Sequence, residues 1–260
     1  MIEFCSVYLD EPIIAGRGAD FFFPAEITRK IALFFVHGGG WGAGSRTIFH
    51  RLITEYNKYG FACACSDYRL SGVTAAEQVS DLRCAYSLFV KKLRERNCPA
   101  EIMVVGSSAG AHLAALLTLA APGECGDAIA FEGEWVAPRG AALQATPITF
   151  EPWTDIFPAI WSSMQKIAGT PYEPGSEVYR RLSPVTYLGE KNPPLFFLEA
   201  ENEHMFPGTM TQDFARKHNA LGIPSKWKEY PRTEHGFLYD LTRWQQREAF
   251  EDIRQFAESL

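Results

Sequence analysis

A serine between glycines is the first feature of the chain that could do chemistry. The strand-like run Ile102 to Val105 leads directly into Gly106-Ser-Ser-Ala-Gly110, and a helical pattern follows at once. In a G-x-S-x-G motif the central serine occupies a sharp turn between strand and helix, and small glycines let the neighbouring backbone approach. We therefore predict that Ser108 is a nucleophile. A serine that only caps a helix is the alternative, and the preceding strand disfavours it.

A run of glycines follows a second buried strand. The strand Ile31 to Val36 ends in the stretch HGGGW, and three consecutive glycines leave the backbone free to turn its N–H groups toward a ligand. We predict that the N–H groups of Gly39, Gly40 and Ala109 form an oxyanion hole for a tetrahedral intermediate. A flexible glycine loop and a phosphate-binding loop are the alternatives, and the GK[ST] ending of a Walker-type phosphate loop is missing here.

Alternating strands and helices must position these residues. Apolar runs predict strands at 31–36, 61–65, 102–105, 141–145 and 195–198, and a further short strand is expected at 226–230. Helical spacing predicts helices at 47–59, 75–96, 109–121, 209–221 and about 241–256. This alternation is typical of an α/β fold with a mostly parallel sheet and helices on both faces. The length of 260 residues suits one domain, residues 1–260.

One region interrupts the alternation. Residues of about 150–182 are rich in proline and aromatic side chains and lack a strand pattern, and we predict a small cap insertion because so short a segment cannot hold its own core. Large aromatic side chains could line a substrate pocket there or could form the core of the cap itself. These residues are Trp41, Trp153, Phe157 and Trp161.

The composition excludes several kinds of partner. The net charge of −6 and the absence of basic clusters argue against nucleic-acid or anionic-membrane binding, and no apolar run is long enough to span a bilayer. No secretory signal is visible, so we expect a cytoplasmic protein whose six cysteines are reduced. Cys63 and Cys65 are expected to be buried thiols, and we predict no metal site. Homo-oligomerisation is left open.

Several motifs together resemble a known superfamily. HGGGW at residues 37–41, SDYRL at 66–70, GSSAGAHLAAL at 106–116 and SP at 183–184 occur in the order found in α/β-hydrolases. The chain most resembles the esterase and lipase branch related to hormone-sensitive lipase, and it is also similar to arylformamidases. The resemblance implies an α/β-hydrolase fold and a serine hydrolase whose catalytic triad follows the order nucleophile, acid, histidine.

The resemblance also implies a histidine base near the end of the chain. His235 stands in a His-Gly-Phe triplet after a short strand candidate, which is the triplet that the resemblance leads us to expect. His204 is a minor candidate, because adjacent residues on one loop rarely aim at the same point. His218 is predicted to be a solvated surface residue, and His112 to be a buried structural residue on an apolar helix.

The acid is less conventional. In the resembling enzymes an aspartate stands on the loop after this strand as H-G-x-x-D, whereas this chain has LEAENEHMFP at residues 198–207. Superposing the two patterns puts Glu203 at the acid position, and Glu201 is the runner-up. Glu199, still at the end of the strand, is expected to make a structural interaction.

These residues favour a carboxylic-ester hydrolase that acts by two-step acyl transfer, with Ser108, His235 and Glu203 as the triad. Such a mechanism needs no metal or organic cofactor. The expected substrate is a small soluble ester with a short acyl, aromatic or sugar group. Two alternatives stay open: an amide hydrolase of the arylformamidase kind, and a small-molecule binder without catalysis on the same fold.

Overall fold

The computed structural model describes residues 2–10, 13–14 and 16–260, and its centre is an eight-stranded sheet. The strands are β1 (Glu3–Tyr8), β2 (Gly18–Phe23), β3 (Ile31–Val36), β4 (Cys63–Ser66), β5 (Glu101–Ser107), β6 (Gly140–Gln144), β7 (Leu195–Asn202) and β8 (Lys226–Glu234). Their spatial order is β1-β2-β4-β3-β5-β6-β7-β8, and the pairs from β4 to β8 are all parallel. The predicted parallel sheet is confirmed.

Helices cover both faces of the sheet. They are α1 (His50–Lys58), α2 (Ala75–Glu95), α3 (Ala109–Leu119), α4 (Pro158–Ala168), α5 (Glu177–Arg181), α6 (Gly208–Ala220) and α7 (Trp244–Glu258), with 3₁₀ turns at Arg46–Phe49, Pro184–Tyr187 and Phe237–Tyr239. All six residues of β3 are buried. Alternate side chains of a strand point to opposite faces, so Leu33 and Phe35 pack in one core cluster while Phe34 and Val36 pack in the other.

The first two strands are absent from the sequence-based prediction. β1 pairs with β2, and β2 pairs with β4, in both cases antiparallel. β2 starts with glycine and carries an aspartate, so its apolar run looks too short for a strand. Asp20 is nevertheless buried, because the side chains of Arg46 and His50 contact its carboxylate. These tertiary contacts compensate the buried carboxylate, and no local pattern in the sequence reveals them.

The segment of residues 150–182 contains the two helices α4 and α5. Proline occupies the first position of α4, where its missing N–H costs nothing, and Gly169 ends the helix with a φ of 77°, a backbone conformation that favours glycine. The ring of Trp161 lies 5.4 Å from that of Tyr172 and 6.0 Å from that of Tyr179. These aromatic contacts hold the segment together.

The carboxyl ends of the parallel strands all meet at one edge of the sheet. The loops after β3, β5 and β7 and the turn after β8 therefore lie next to one another, although the chain separates them by up to two hundred residues. Among the described residues, no helix is both long enough and apolar enough to cross a bilayer.

Candidate active site

The turn after β5 holds Ser108 in a strained backbone conformation. Its φ is 55° and its ψ is −126°, a region that L-residues rarely occupy, and α3 begins with the next residue. A Cβ atom at Gly106 would lie 2.6 Å from the carbonyl oxygen of Gly110, and one at Gly110 would lie 2.3 Å from the carbonyl oxygen of Val36. Both glycines are therefore required by close backbone contacts, and the turn presents the serine at the helix N-terminus.

A continuous hydrogen-bond chain connects three side chains. His235 Nε2 lies 2.8 Å from Ser108 Oγ, and His235 Nδ1 lies 2.7 Å from Glu203 Oε2. With the ring proton on Nδ1, the histidine donates to the carboxylate and Nε2 accepts from the serine hydroxyl. The side chain of Glu203 is 4% exposed and that of His235 is 21% exposed. The arrangement can remove a proton from the serine and stabilise the imidazolium that results.

The backbone of the β7 loop holds Glu203. Its second oxygen, Oε1, accepts hydrogen bonds from the N–H groups of Met205 at 2.8 Å and Phe206 at 3.4 Å. The pairing of β7 with β8 shifts register between Ala200 and Asn202, immediately before this loop. The carboxylate therefore keeps one oxygen for the loop and one for the histidine.

The other two glutamates of this loop have different partners. The carboxylate of Glu201 accepts a hydrogen bond of 2.6 Å from the N–H of Arg232 and lies at the surface. Glu199 is buried and lies 2.6 Å from the hydroxyl of Thr211. Only Glu203 of the three is placed against His235 in the described part of the chain.

The glycine loop after β3 faces the serine. Gly39 and Gly40 have φ values of 117° and 58°, and a Cβ atom at Gly39 would lie 2.2 Å from the carbonyl oxygen of Ala43. A Cβ atom at Gly38 would come within 3.1 Å of the Cβ of Ser108, so the loop touches the nucleophile. Across residues 16–260, the N–H groups of Gly39, Gly40 and Ala109 have no protein acceptor, as an oxyanion hole requires.

Two supporting residues were missed by the sequence analysis. The hydroxyl of Tyr239 accepts a hydrogen bond of 3.1 Å from the N–H of Gly38 and so ties the histidine loop to the glycine loop. The carbonyl oxygen of Gln144 accepts the N–H of Ser108 at 2.8 Å, and its side-chain oxygen accepts the hydroxyl of Ser107 at 2.6 Å. Tyr239 is four residues after His235, which is the one sequence signal that could have found it.

Comparison with known families identifies the chain. The BD-FAE family matches residues 19–218, which include the glycine loop, the serine turn and Glu203. The chain belongs to the BD-FAE family. The match ends before His235, so the histidine is placed by the structure and not by the family match.

Curated relatives of this BD-FAE chain are named as esterases. It is 26% identical over 211 residues to a probable carboxylic ester hydrolase, LipM, from Mycobacterium tuberculosis, an alignment that covers 79% of this chain and 49% of LipM. It is 24% identical over 275 residues to a probable isoprenylcysteine alpha-carbonyl methylesterase, ICMEL1, from Arabidopsis thaliana, covering 96% of this chain and 56% of the relative. The chain thus spans about half the length of the curated relatives it matches.

A solved structure shares the fold. Esterase 2 from Thermogutta terrifontis superposes with a TM-score of 0.76 at 19% identity, over 92% of this chain and 88% of that chain. The BD-FAE chain therefore has the α/β-hydrolase fold, and the resemblance to the esterase and lipase branch is confirmed.

A cavity of about 490 Å³ opens beside the glycine loop. Gly40, Trp41 and the loop of residues 70–74 line one side, and α4 lines the other through Ser163, Lys166 and Ile167. The cavity walls combine apolar side chains with hydroxyl groups, and Lys166 and Glu77 supply one charge of each sign. A substrate group could lie between the glycine loop and the predicted cap.

The four predicted pocket aromatics take different positions. Trp41 borders the cavity although its side chain is almost fully buried, and Trp161 belongs to the aromatic cluster with Tyr172 and Tyr179. The ring of Trp153 lies 6.2 Å from that of Phe206, whose own ring is 6.0 Å from His235. Phe157 precedes α4 and is 58% exposed.

His112 supports the glycine loop through a hydrogen bond with Trp41. The indole N–H of Trp41 donates to His112 Nδ1 at 3.1 Å, so the ring proton is on Nε2, which lies 2.7 Å from the carbonyl oxygen of Leu182. Burial lowers the pKa of His112 to about 4, and the ring stays neutral. His112 is thus the buried structural residue that the sequence predicts, and it joins the glycine loop to the chain that follows α5.

The prediction for His218 is wrong. This residue on α6 is fully buried and lies 2.9 Å from Ser225 Oγ and 3.1 Å from Asn192 Oδ1, and burial lowers its pKa to about 4. The polar neighbours of His218 in the sequence suggested an exposed helix face, but the loop before β7 covers it. His204 is exposed beside Glu203.

One group of side chains in the described residues has the spacing of metal ligands. The ligand atoms of Asp20, His50 and Cys65 lie within 4.8 Å of one another. Arg46 Nε, however, lies 2.9 Å from Asp20 Oδ2, so a guanidinium already neutralises the carboxylate. Burial raises the pKa of the Cys65 thiol, which favours the uncharged form that binds metals poorly. The donor set fits a buried ion pair better than a cation site.

Proposed function

We propose that this chain is a serine carboxylic-ester hydrolase. The single observation that carries the proposal is the continuous hydrogen-bond chain from Glu203 through His235 to Ser108, at the face of a glycine loop. Membership of the BD-FAE family and the esterase names of the relatives support it. In this proposal Ser108 is the nucleophile, His235 the base and Glu203 the acid of the triad.

Acylation begins when Ser108 attacks the carbonyl carbon of the ester. His235 Nε2, which accepts the serine hydroxyl, takes its proton as the bond forms. Glu203 accepts the Nδ1–H of the ring, fixes the tautomer and stabilises the imidazolium. The imidazolium then gives its proton to the alcohol oxygen, the alcohol leaves, and an acyl-serine remains.

Water completes the cycle. His235 removes a proton from a water molecule, the hydroxide attacks the acyl carbon, and the proton returns to Ser108 as the carboxylic acid leaves. In both steps the carbonyl oxygen becomes negatively charged. The N–H groups of Gly39, Gly40 and Ala109 would donate to it, and one such donor typically contributes about 3 kcal/mol to the transition state.

The cavity beside the glycine loop supports a small soluble ester as the substrate. Its volume of about 490 Å³ is typical of a small-molecule site, and the cavity meets the proposed oxyanion hole at Gly40, whereas Ser108 and His235 do not line it. We propose that residues 150–182 act as a cap, because α4 forms one wall of this cavity. Trp41 would lie at the cavity floor, and Trp153, Phe157 and Trp161 are proposed to shape the cap around it.

A series of p-nitrophenyl esters from acetate to octanoate tests the proposal. We expect turnover that peaks at short chains and falls to the background rate in Ser108→Ala. His235→Ala should lose activity similarly, whereas His204→Ala is the matched control, since that histidine is exposed on the same loop as Glu203. Full activity in Ser108→Ala or in His235→Ala would overturn the assignment of the triad.

The two alternative functions are distinguished by adding N-formylkynurenine to the ester series. An amide hydrolase of the arylformamidase kind would cleave N-formylkynurenine faster than any ester of the series. A binder without catalysis would turn over neither substrate class and would keep its ligand affinity in Ser108→Ala.

A further inference from the structure

A second carboxyl group, that of Glu199, is buried near Glu203. Glu199 is 2% exposed within β7, four residues before Glu203. Its Oε1 atom lies 2.6 Å from the hydroxyl oxygen of Thr211, in the first turn of α6, and its Oε2 atom has no hydrogen-bond partner in the described part of the chain. A charged carboxylate with one bare oxygen would be costly in such a place.

The hydrogen bonds around Thr211 indicate which group carries the proton. The threonine hydroxyl has one proton, and it has an acceptor in the carbonyl oxygen of Gly208 at 2.9 Å. The indole N–H of Trp227 donates to the same hydroxyl oxygen at 3.2 Å. If Glu199 is protonated, its O–H donates to the hydroxyl, and all three bonds exist at once. If Glu199 is ionised, the single threonine proton must choose between Glu199 and Gly208.

The charged groups facing Glu199 act in the same direction. They are the carboxylates of Glu203, on the loop after β7, and Glu229, on the neighbouring strand β8. Burial is the largest influence on Glu199 and, with the two carboxylates, outweighs the lowering by a donated Thr211 hydroxyl, so that the pKa rises from 4.5 to about 8. The group is therefore a neutral acid at neutral pH.

We propose that Glu199 is a positioning residue that, as a neutral acid, donates a hydrogen bond to Thr211 and so holds the loop bearing Glu203. The bond joins β7, four residues before Glu203, to the first turn of α6, eight residues after Glu203, so it closes the stretch of chain that contains the acid. The side chain of Glu199 also packs beside this turn, since a Cβ atom at Gly208 would lie in ordinary van der Waals contact with Glu199 Cγ, 3.5 Å away. Fixing both ends fixes the N–H groups of Met205 and Phe206 that orient the acid.

The neutral state has a second consequence. Because Glu199 is uncharged, Glu203 is the negative charge that faces the imidazolium, and the Glu199 carboxyl does not compete with it. This role of Glu199 rests on the proposed function of Glu203 as the triad acid, whereas its protonation does not.

Stability against pH tests the protonation without any substrate. The folded-state pKa of about 8 exceeds the value of 4.5 expected for the unfolded chain, so between these pH values unfolding releases a proton. The Glu199 contribution to stability is then complete below pH 4.5 and is lost as the pH rises to 8. Glu199→Gln stays neutral at every pH and keeps a donor, so its Tm should fall less than that of the wild type over this range.

Glu201→Gln is the matched control, since Glu201 is exposed on the same strand end. It should retain the wild-type dependence of Tm on pH. Infrared spectra at pH 6 should show a protonated carboxylic acid that is present in the wild type and in Glu201→Gln and missing in Glu199→Gln. Equal pH dependence of Tm in wild type and Glu199→Gln, or no such infrared band, would overturn the proposal.

Kinetics test the positioning. Glu199→Leu is neutral but cannot donate, and we expect kcat to fall by about tenfold or more with KM little changed, because the acid loop loosens. Glu199→Gln should recover most of that loss. Thr211→Val removes the acceptor of the same hydrogen bond and should lower kcat similarly. It replaces the leucine variant in the test if that variant does not fold. Equal kcat in the leucine and glutamine variants would rule out positioning.

The arms separate the two proposals. An inactive wild type with the expected pH dependence of Tm would overturn the hydrolase function and leave the neutral acid established. An active wild type whose Tm depends on pH in the same way as that of Glu199→Gln would support the hydrolase function and overturn the proposal that Glu199 is a neutral acid.

Discussion

The serine turn after β5 and the acid loop after β7 are built in different ways. Backbone atoms fix the serine turn, because glycines at positions 106 and 110 allow carbonyl groups to approach within 2.6 Å of where a Cβ would be. Side-chain hydrogen bonds fix the acid loop, where Glu203, Glu199 and Glu201 each have a separate partner. A turn made by steric exclusion leaves a clear pattern in the sequence, whereas a loop made by hydrogen bonds does not.

The largest effect should appear when the glutamates of the acid loop are compared. Glu203→Gln should lower kcat by about 10³- to 10⁴-fold, because the amide no longer holds His235 in the tautomer that accepts the serine proton. Glu201→Gln should change kcat by less than about twofold, since the exposed carboxylate bonds only to a backbone N–H. Steady-state kinetics on a short p-nitrophenyl ester provides the measurement, and the opposite ranking would make Glu201 the acid.

The serine turn should respond in stability. In Gly110→Ala the new methyl group would collide with the carbonyl oxygens of Val36 and His37, both 2.3 Å away, and we expect a loss of about 3 kcal/mol or no folded protein. Gly72→Ala is a contrasting control, because no atom lies within 4 Å of a Cβ there and only its φ of 71° opposes the change. Urea denaturation measures both, and a fully stable Gly110→Ala would contradict the steric account.

A smaller effect is expected where the two loops are tied together. Tyr239→Phe removes the acceptor for the Gly38 N–H and should lower kcat by about tenfold, because the glycine loop loses its anchor to the histidine loop. Tyr187→Phe, which removes a hydroxyl that donates to the carbonyl oxygen of Arg181, is the control. A kcat unchanged beside a lower Tm would make Tyr239 purely structural.

The smallest effect is expected at the hydrogen bond between Trp41 and His112, which supports the glycine loop. Trp41→Phe removes the indole donor to His112 while keeping most of the ring, and should cost about 1 kcal/mol of stability. Trp244→Phe, at an exposed ring, should cost far less. Thermal unfolding of both variants gives the comparison, and equal losses would show that the His112 bond contributes nothing measurable.

The sequence predicted the middle of the molecule better than its edges. The strands from β3 to β8 and the helices α1, α2, α3, α6 and α7 overlap predicted segments, because most of them carry an apolar run or a helical apolar spacing. β1 and β2 were missed, since an edge strand and a strand with a buried aspartate lack that period. The error at His218 has the same origin, because its polar neighbours gave no sign of the loop that buries it.

The sequence by itself determined the α/β class, the serine turn and the glycine loop, because each depends on contacts between neighbours in the chain or on the space that a glycine leaves. Only the tertiary structure decided which glutamate meets His235, that Glu199 is buried and that Tyr239 joins two loops. Those contacts join residues up to 201 positions apart, and their geometry depends on how the strand ends come together in the sheet.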